Sequence, residues 1–197
     1  MTAVPKVVAL CGSMRDGSHT RTALRHVLDA AEEAGAETEL LDVRDYDLPV
    51  FDPDEDEPED AVEIKRAIRE ADSVILGSPV YHGSYSSAFR NVHDYCSFDE
   101  FEDTTVGLLV VAGGGSYAST LDHMRITVRG VHGWVLPHQV GIRRAYDQFE
   151  DGEFVDEDLE ERTRKLGRQA VEYAFITPDV TSTEAAEDAA EEAAADD

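Results

Sequence analysis

Mostly apolar runs alternate along the chain with segments in which apolar residues recur at helical spacing. The runs at 7–10, 73–78 and 105–112 have the composition of strands covered on both faces. Between them, stretches such as 24–31 place apolar residues three and four apart, which predicts amphipathic helices. The predicted strands cover residues 7–10, 38–43, 73–78, 105–112 and 134–140, and the predicted helices lie at about 20–34, 62–71, 88–95, 117–131 and 156–175.

The regular alternation of strands and helices predicts the fold class. A strand, a crossover helix and a next parallel strand form a right-handed unit, and repetition of that unit places helices on both faces of one sheet. The chain is therefore predicted to be an α/β three-layer sandwich. Its parallel sheet should have five strands, for which 2-1-3-4-5 is a common order in doubly wound sheets.

Chain length and local composition predict one folded domain and a tail. The chain has 197 residues, which suits a single domain, assigned here to residues 1–178. Residues 179–197 contain Ala, Glu, Asp, Ser, Thr and Val but no basic residue, and they are interpreted as a disordered acidic tail. A weak Ala/Glu helix is the alternative. We expect a soluble, cytoplasmic protein, because no run is long enough to span a bilayer and the N-terminus lacks a signal-peptide pattern.

The charge balance is strongly acidic. Asp and Glu number 43 against 17 Lys and Arg, for a formal net charge of −26. Such a surface repels nucleic acids and anionic membranes, and neither is expected as a partner. The composition resembles that of proteins from salt-loving organisms, and a halophilic source is expected. In roughly molar salt the Debye length is about 3 Å, so an anionic ligand must be held by contacts at hydrogen-bonding range.

The loop between the first strand and the first helix has the composition of a phosphate site. A strand that leads directly into a helix presents unpaired N–H groups and the positive end of the helix dipole. Here Ser13, Ser18 and Thr20 add hydroxyl groups, and Arg15 adds a guanidinium. The glycine and lysine spacing of nucleoside-triphosphate and dinucleotide loops is missing, which favours a monophosphate. An ordinary turn capped by Ser and Gly is the alternative.

Three polar, glycine-bearing loops are predicted to meet at one edge of the sheet. In a sheet of order 2-1-3-4-5, ligands bind where the strand order reverses, between the first and third strands. The loops at 12–20 and 79–87 follow those two strands, and the loop at 113–116 follows the neighbouring fourth strand. The long acidic loop at 44–60 is also expected to be functional.

The sequence contains no arrangement of side chains typical of acid–base, nucleophilic or metal catalysis. There is no Ser–His–Asp order, no pair of carboxylates in an apolar setting and no metal-ligand cluster, and no metal is expected. Cys11 is interpreted as a small core residue at the end of the first strand. This pattern suits an enzyme whose cofactor carries the reaction.

Two groups of residues along the chain form motifs. The first comprises Gly12, Ser13, Arg15, Ser18 and Leu24, and the second comprises Pro79, Tyr81, Ser84, Asn91, Asp94 and Tyr95. These motifs resemble those of the NADPH-dependent FMN reductases, a family of flavodoxin-like fold with the strand order 2-1-3-4-5, and the resemblance covers roughly residues 4–141. The departures from the family pattern are Ser86 and Ser87 in place of Pro-Gly, Phe89 in place of Leu and Arg90 in place of Lys.

The resemblance implies an oxidoreductase that uses FMN and takes hydride from NADPH or NADH. The hydride would pass through FMN to a small-molecule electron acceptor, such as a flavin, quinone, azo compound or metal oxyanion. The flavin would carry the chemistry, so no catalytic side chain is assigned. A flavodoxin-type electron carrier and a non-enzymatic flavin-binding module are the alternatives.

The resemblance also implies which residues bind the cofactor. Ser13, Arg15, Ser18 and Thr20 would hold the FMN phosphate, and the other two loops would surround the ribityl chain and the ring. Tyr81 could instead be a core aromatic residue, and His82 a surface residue. The full predicted set is Ser13, Arg15, Ser18, His19, Thr20, Pro79, Val80, Tyr81, His82, Gly83, Ser84, Gly113, Gly114 and Gly115.

Aromatic residues concentrate after the second motif. Aromatic clusters are enriched at interfaces, and the family forms dimers or tetramers through this side, so a homodimer or homotetramer is expected. The alternative is that these residues pack under helices of the same domain. The cluster comprises Tyr85, Phe89, Tyr95, Phe98 and Phe101.

Overall fold

The computed structural model describes residues 4–175, and a parallel β-sheet lies at its centre. The predicted boundary at residue 178 and the tail at 179–197 lie outside the described residues. The strands of this sheet are β1 (Lys6–Cys11), β2 (Glu37–Asp42), β3 (Ser73–Pro79), β4 (Thr105–Val111), β5 (Trp134–Val135) and β6 (Val140–Ile142). Their order is β2-β1-β3-β4-β5, with β6 also paired to β4, and every pair is parallel. The predicted order 2-1-3-4-5 is confirmed.

The fifth strand position is divided, which corrects the single strand predicted at 134–140. β5 pairs with Thr105 and Val106, and β6 pairs with β4 from Leu109 to Val111. Pro137 lies in the gap between them. Val135 pairs with Val106 and Val140 with Leu109, so the chain uses two more residues than β4 over this interval and bulges out of the sheet before rejoining it.

Helices cover both faces of the sheet, as predicted. They are α1 (His19–Glu33), α2 (Glu59–Arg69), α3 (Ser87–Tyr95), α4 (Phe98–Phe101), α5 (Ala118–Gly130) and α6 (Glu157–Glu172). One buried cluster packs α1 and α6 against one face of the sheet. A second cluster packs the helices α2, α3, α4 and α5 against the other face. Among residues 4–175, no helix has the length and hydrophobicity needed to cross a bilayer.

A short helix and a β-hairpin were not predicted. The helix α4 begins after Ser97, whose backbone and hydroxyl form a capping box with Glu100. A hairpin of β7 (Phe149–Glu150) and β8 (Glu153–Phe154) follows β6. Its two turn residues have positive φ, 51° at Asp151 and 91° at Gly152, as a tight type I′ turn requires.

Most of the aromatic cluster after the second motif lies in the domain's own core. Phe89 and Phe101 are fully buried, Tyr95 is nearly so, and Tyr85 packs against the same cluster. Phe98 is the exposed member, at 48%. The interpretation of this cluster as an interface is therefore wrong for its buried members, and the alternative of intradomain packing holds for them.

The acidic loop between β2 and α2 is fastened to α3. Asn91 donates from Nδ2 to the Pro49 carbonyl at 2.7 Å and accepts from the Phe51 N–H at 2.9 Å. The Tyr95 hydroxyl donates to the same Pro49 carbonyl at 3.1 Å. Asn91, a residue of the second motif, thus holds this loop in place.

Candidate functional site

Loops from β1, β3, β4 and β6 enclose a cavity at the carboxyl edge of the sheet. The cavity is open to solvent on one side. This is the position expected for a ligand of a doubly wound sheet. Its lining comprises Ser13, Arg15, Gly17, Ser18, His19, Thr20, Pro79, Val80, Tyr81, Val111, Gly113, Ala145 and Tyr146.

The loop at 12–20 between β1 and α1, called the phosphate-type loop below, forms one wall of this cavity. Ser18 caps α1, and its hydroxyl oxygen accepts a hydrogen bond from the Arg21 N–H at 3.2 Å. Ser13 and Thr20 are nearly buried beside it and face the cavity. Serine hydroxyls and the amino end of a 15-residue helix therefore line the same wall. That combination can accept the several oxygens of a phosphate.

Arg21 and Asp42 fix the shape of this loop. Their side chains form an ion pair and are only 12% and 10% exposed. Arg21 also donates to the backbone carbonyls of Asp16, at 2.9 Å, and Arg15, at 3.3 Å. The C=O and N–H of a trans peptide point in opposite directions, so the Asp16 and Gly17 N–H groups are directed away from Arg21. Gly17 also lines the cavity.

A hydrogen bond joins the phosphate-type loop to the loop at 79–87 that follows β3. The Ser86 hydroxyl donates to the Gly12 carbonyl at 2.5 Å and caps α3 by accepting from the Phe89 N–H at 3.0 Å. The Gly12 N–H donates to the Gly77 carbonyl at 2.8 Å. A Cβ at Gly12 would lie 2.6 Å from the Phe89 Cβ, so only glycine permits this approach. Ser86, a departure from the family pattern, thus joins the two motifs.

The β3 loop makes a tight turn from Tyr81 to Ser84. His82 and Gly83 have φ values of 52° and 79°, and the Tyr81 and Ser84 backbones exchange two hydrogen bonds. The Ser84 Oγ lies 3.0 Å from His123 Nδ1, which ties the turn to α5. Pro79, Val80 and Tyr81 line the cavity, whereas His82, Gly83 and Ser84 lie beyond its lining. Tyr81 is 49% exposed and so is not a core aromatic residue.

The glycine loop after β4 leaves space beside the cavity. Gly113 lines it, and Gly114 and Gly115 lie outside that lining. A Cβ at Gly114 or Gly115 would meet no atom within 4 Å. Packing within the described residues therefore does not require glycine at those two positions. The open space suits a flat ligand that approaches the backbone closely.

Neither cysteine has the features of a nucleophile. Cys11 is fully buried, as predicted for a small core residue, and burial raises the pKa of its thiol. Burial also raises the pKa of Cys96 to about 12. Both thiols stay protonated near neutral pH, which leaves them unreactive.

Tyr146 is the main cavity residue that the sequence did not indicate. It follows β6 and reaches the phosphate-type loop, where its hydroxyl accepts from the Arg15 Nη1 at 2.9 Å. Gly17, Val111 and Ala145 also line the cavity without having been predicted. Gly17 and Val111 adjoin predicted residues and could have been included on position alone, but Tyr146 and Arg15 are 131 residues apart.

Comparison with known proteins identifies the family. The family model for NADPH-dependent FMN reductases matches residues 5–147. The FMN-dependent NADPH-azoreductase of Staphylococcus saprophyticus is 29% identical over 182 residues, which cover 88% of this chain and 97% of that protein. The protein of the same name from Staphylococcus aureus strain USA300 is 30% identical with the same coverage.

A solved structure supports the fold. The flavoenzyme NAD(P)H:(acceptor) oxidoreductase of Paracoccus denitrificans superposes with a TM-score of 0.72 at 19% identity, covering 87% of this chain and 97% of that one. The family match spans both motifs and all three predicted ligand loops. The chain belongs to the NADPH-dependent FMN reductase family and is an FMN-dependent oxidoreductase with NADPH as hydride donor.

Proposed function

We propose that the cavity binds FMN, with its phosphate at residues 13–20 and its ring between Pro79–Tyr81 and Gly113–Gly115. The observation that carries this proposal is the convergence of the three loops on one cavity. The residues present fit the group: hydroxyls, Arg15 and a helix amino end suit the phosphate, and the open space at Gly114 and Gly115 suits a flat ring. His82, Gly83 and Ser84 would contact the cofactor from beyond the cavity lining.

The protein's own residues would bind and orient the cofactor. FMN, when bound, supplies the hydride chemistry. Arg15 and the loop N–H groups would neutralise the phosphate, and the Arg21–Asp42 pair would keep those N–H groups directed at it. Tyr81, half exposed at the mouth, would bound the space in which the nicotinamide and the acceptor bind in turn.

We propose further that the acceptor is an azo compound. The support is the name of the two Staphylococcus relatives, FMN-dependent NADPH-azoreductase, whose alignments cover 88% of this chain. Cleavage of one azo bond to two amines takes four electrons and four protons. Two NADPH molecules supply two hydrides, and two protons come from water.

The function is tested by measuring how much NADPH is consumed with each acceptor. The purified protein with FMN should oxidise about two NADPH per azo bond cleaved under anaerobic conditions, since oxygen would otherwise accept electrons. One NADPH per molecule of a quinone, with no reaction on azo dyes, would replace the azo compound by a quinone as acceptor. If the purified protein oxidises essentially no NADPH, as expected of an electron carrier, the enzyme assignment is contradicted.

Arg15→Ala tests the phosphate site directly. We expect it to weaken FMN binding by about 1.5–3 kcal/mol, the usual contribution of a hydrogen bond to a charged group. Quenching of flavin fluorescence on titration gives the dissociation constant. Arg129→Ala removes an exposed guanidinium from the last turn of α5 and serves as the matched control. An unchanged dissociation constant for Arg15→Ala would remove Arg15 from the site.

We also propose that the chain forms a homodimer or homotetramer. The support is the family resemblance together with an exposed apolar groove beside the phosphate-type loop. Met14 and Val50 line this groove at 57% and 86% exposure, next to Leu48 and Ala88. A sedimentation mass equal to one chain in high salt would contradict this proposal.

A further inference from the structure

We propose that Tyr146 is an FMN-binding residue that closes the phosphate pocket together with Arg15. The inference rests on the proposed function, because it concerns the same cavity. It assigns a role to a residue outside both family motifs.

The ring of Tyr146 lies between the phosphate-type loop and the glycine loop after β4. The Arg15 guanidinium carbon lies 5.8 Å from the centre of that ring, and the His19 ring meets it edge-on at 5.6 Å. A Cβ at Gly113 would lie 3.2 Å from the Tyr146 Cε2. The ring therefore contacts the phosphate-type loop on one side and the glycine loop on the other. It is also 64% exposed, so it stands at the mouth of the cavity.

The segment that carries Tyr146 is anchored on both sides. The Arg144 N–H donates to the Gly114 carbonyl at 2.9 Å, and the Ala145 N–H donates to the Ala112 carbonyl at 3.0 Å. After Tyr146, Phe149 stacks on His19 with ring centres 5.1 Å apart and an interplanar angle of 9°. These contacts hold Tyr146 over the loop.

The hydroxyl of Tyr146 can bind the arginine and a phosphate at once. It accepts from Arg15 Nη1, and a hydroxyl that accepts one hydrogen bond can still donate its own proton. The guanidinium has further N–H groups that remain available to phosphate oxygens. The pair would thus contact the phosphate together, and loss of either partner would weaken the hold of the other.

A double-mutant cycle of Tyr146 and Arg15 tests this inference. Tyr146→Phe keeps the ring and should raise the FMN dissociation constant about tenfold, which is the lower limit for a hydrogen bond to a charged group. Tyr146→Phe added to Arg15→Ala should have almost no further effect, since the two groups act as a unit. Tyr173→Phe, which alters another half-exposed tyrosine, is the matched control. Flavin fluorescence gives the constants, and thermal unfolding midpoints show that each variant is folded.

The outcomes separate this inference from the proposed function. The inference is overturned if Tyr146→Phe leaves the FMN dissociation constant unchanged. It is also overturned if the losses of FMN binding free energy from Tyr146→Phe and Arg15→Ala are fully additive. If Arg15→Ala weakens FMN binding while Tyr146→Phe does not, the phosphate site stands without Tyr146. If the unmodified protein binds no FMN, the proposed function itself fails.

Discussion

Arg21→Met is expected to lower the free energy of unfolding by about 3 kcal/mol, because it leaves the mostly buried Asp42 carboxylate without its partner. It should also weaken FMN binding about tenfold, because the carbonyls of Arg15 and Asp16 lose the donor that orients them. A tenfold change corresponds to about 1.4 kcal/mol. Urea titration measures the first effect, and flavin fluorescence measures the second.

Two further variants separate the stability effect from the binding effect. Arg66→Met removes an exposed ion pair with Glu70 on α2 and should cost less than about 1 kcal/mol. The double variant Arg21→Met, Asp42→Leu removes both buried charges and should recover part of the stability but none of the FMN affinity. If FMN binding stays normal while stability falls, Arg21 has no part in positioning the loop.

Gly167→Ala is expected to destabilise the protein by about 3 kcal/mol or more, through overpacking where α6 crosses α1. A Cβ at residue 167 would lie 2.0 Å from the Val27 carbonyl oxygen and 3.2 Å from the Ala31 nitrogen. Both are backbone atoms, so the two helices must move apart to admit a methyl group. The midpoint of thermal or urea unfolding measures the effect.

Gly130→Ala is the matched control for this close approach. Gly130 ends α5, and a Cβ there would meet nothing within 4 Å. Alanine should be neutral or stabilising there by up to about 1 kcal/mol, because it favours the helix more than glycine does. A Gly167→Ala protein as stable as the Gly130→Ala protein would show that the α1–α6 contact yields easily.

The strands and the site edge were predictable because they follow from continuous features of the chain, whereas the order 2-1-3-4-5 came with the family resemblance. Each apolar run became a strand or part of one, and parallel strands place their following loops at one edge. The division around Pro137 depends on how this edge strand pairs with β4 and could not be read from that residue, because proline is tolerated in edge strands. The turn at Asp151 and Gly152 was also visible in the sequence as a hairpin signal.

The remaining features depend on contacts between distant parts of the chain. The contact of Tyr146 with Arg15 spans 131 residues, and the Arg21–Asp42 pair depends on β2 lying beside β1. Apolar spacing also does not distinguish a core from an interface, which is why Phe89 and Phe101 were assigned to a surface between subunits. Their burial is decided by how α3 and α4 pack on the sheet.

Three sets of contacts shape the phosphate-type loop: the Arg21–Asp42 pair, the Ser18 cap and the Ser86 link to Gly12. They tie the loop to β2 and to the start of α3 as well as to α1. A substitution that displaces β2 or α3 should therefore change the flavin affinity even when every cavity residue is kept.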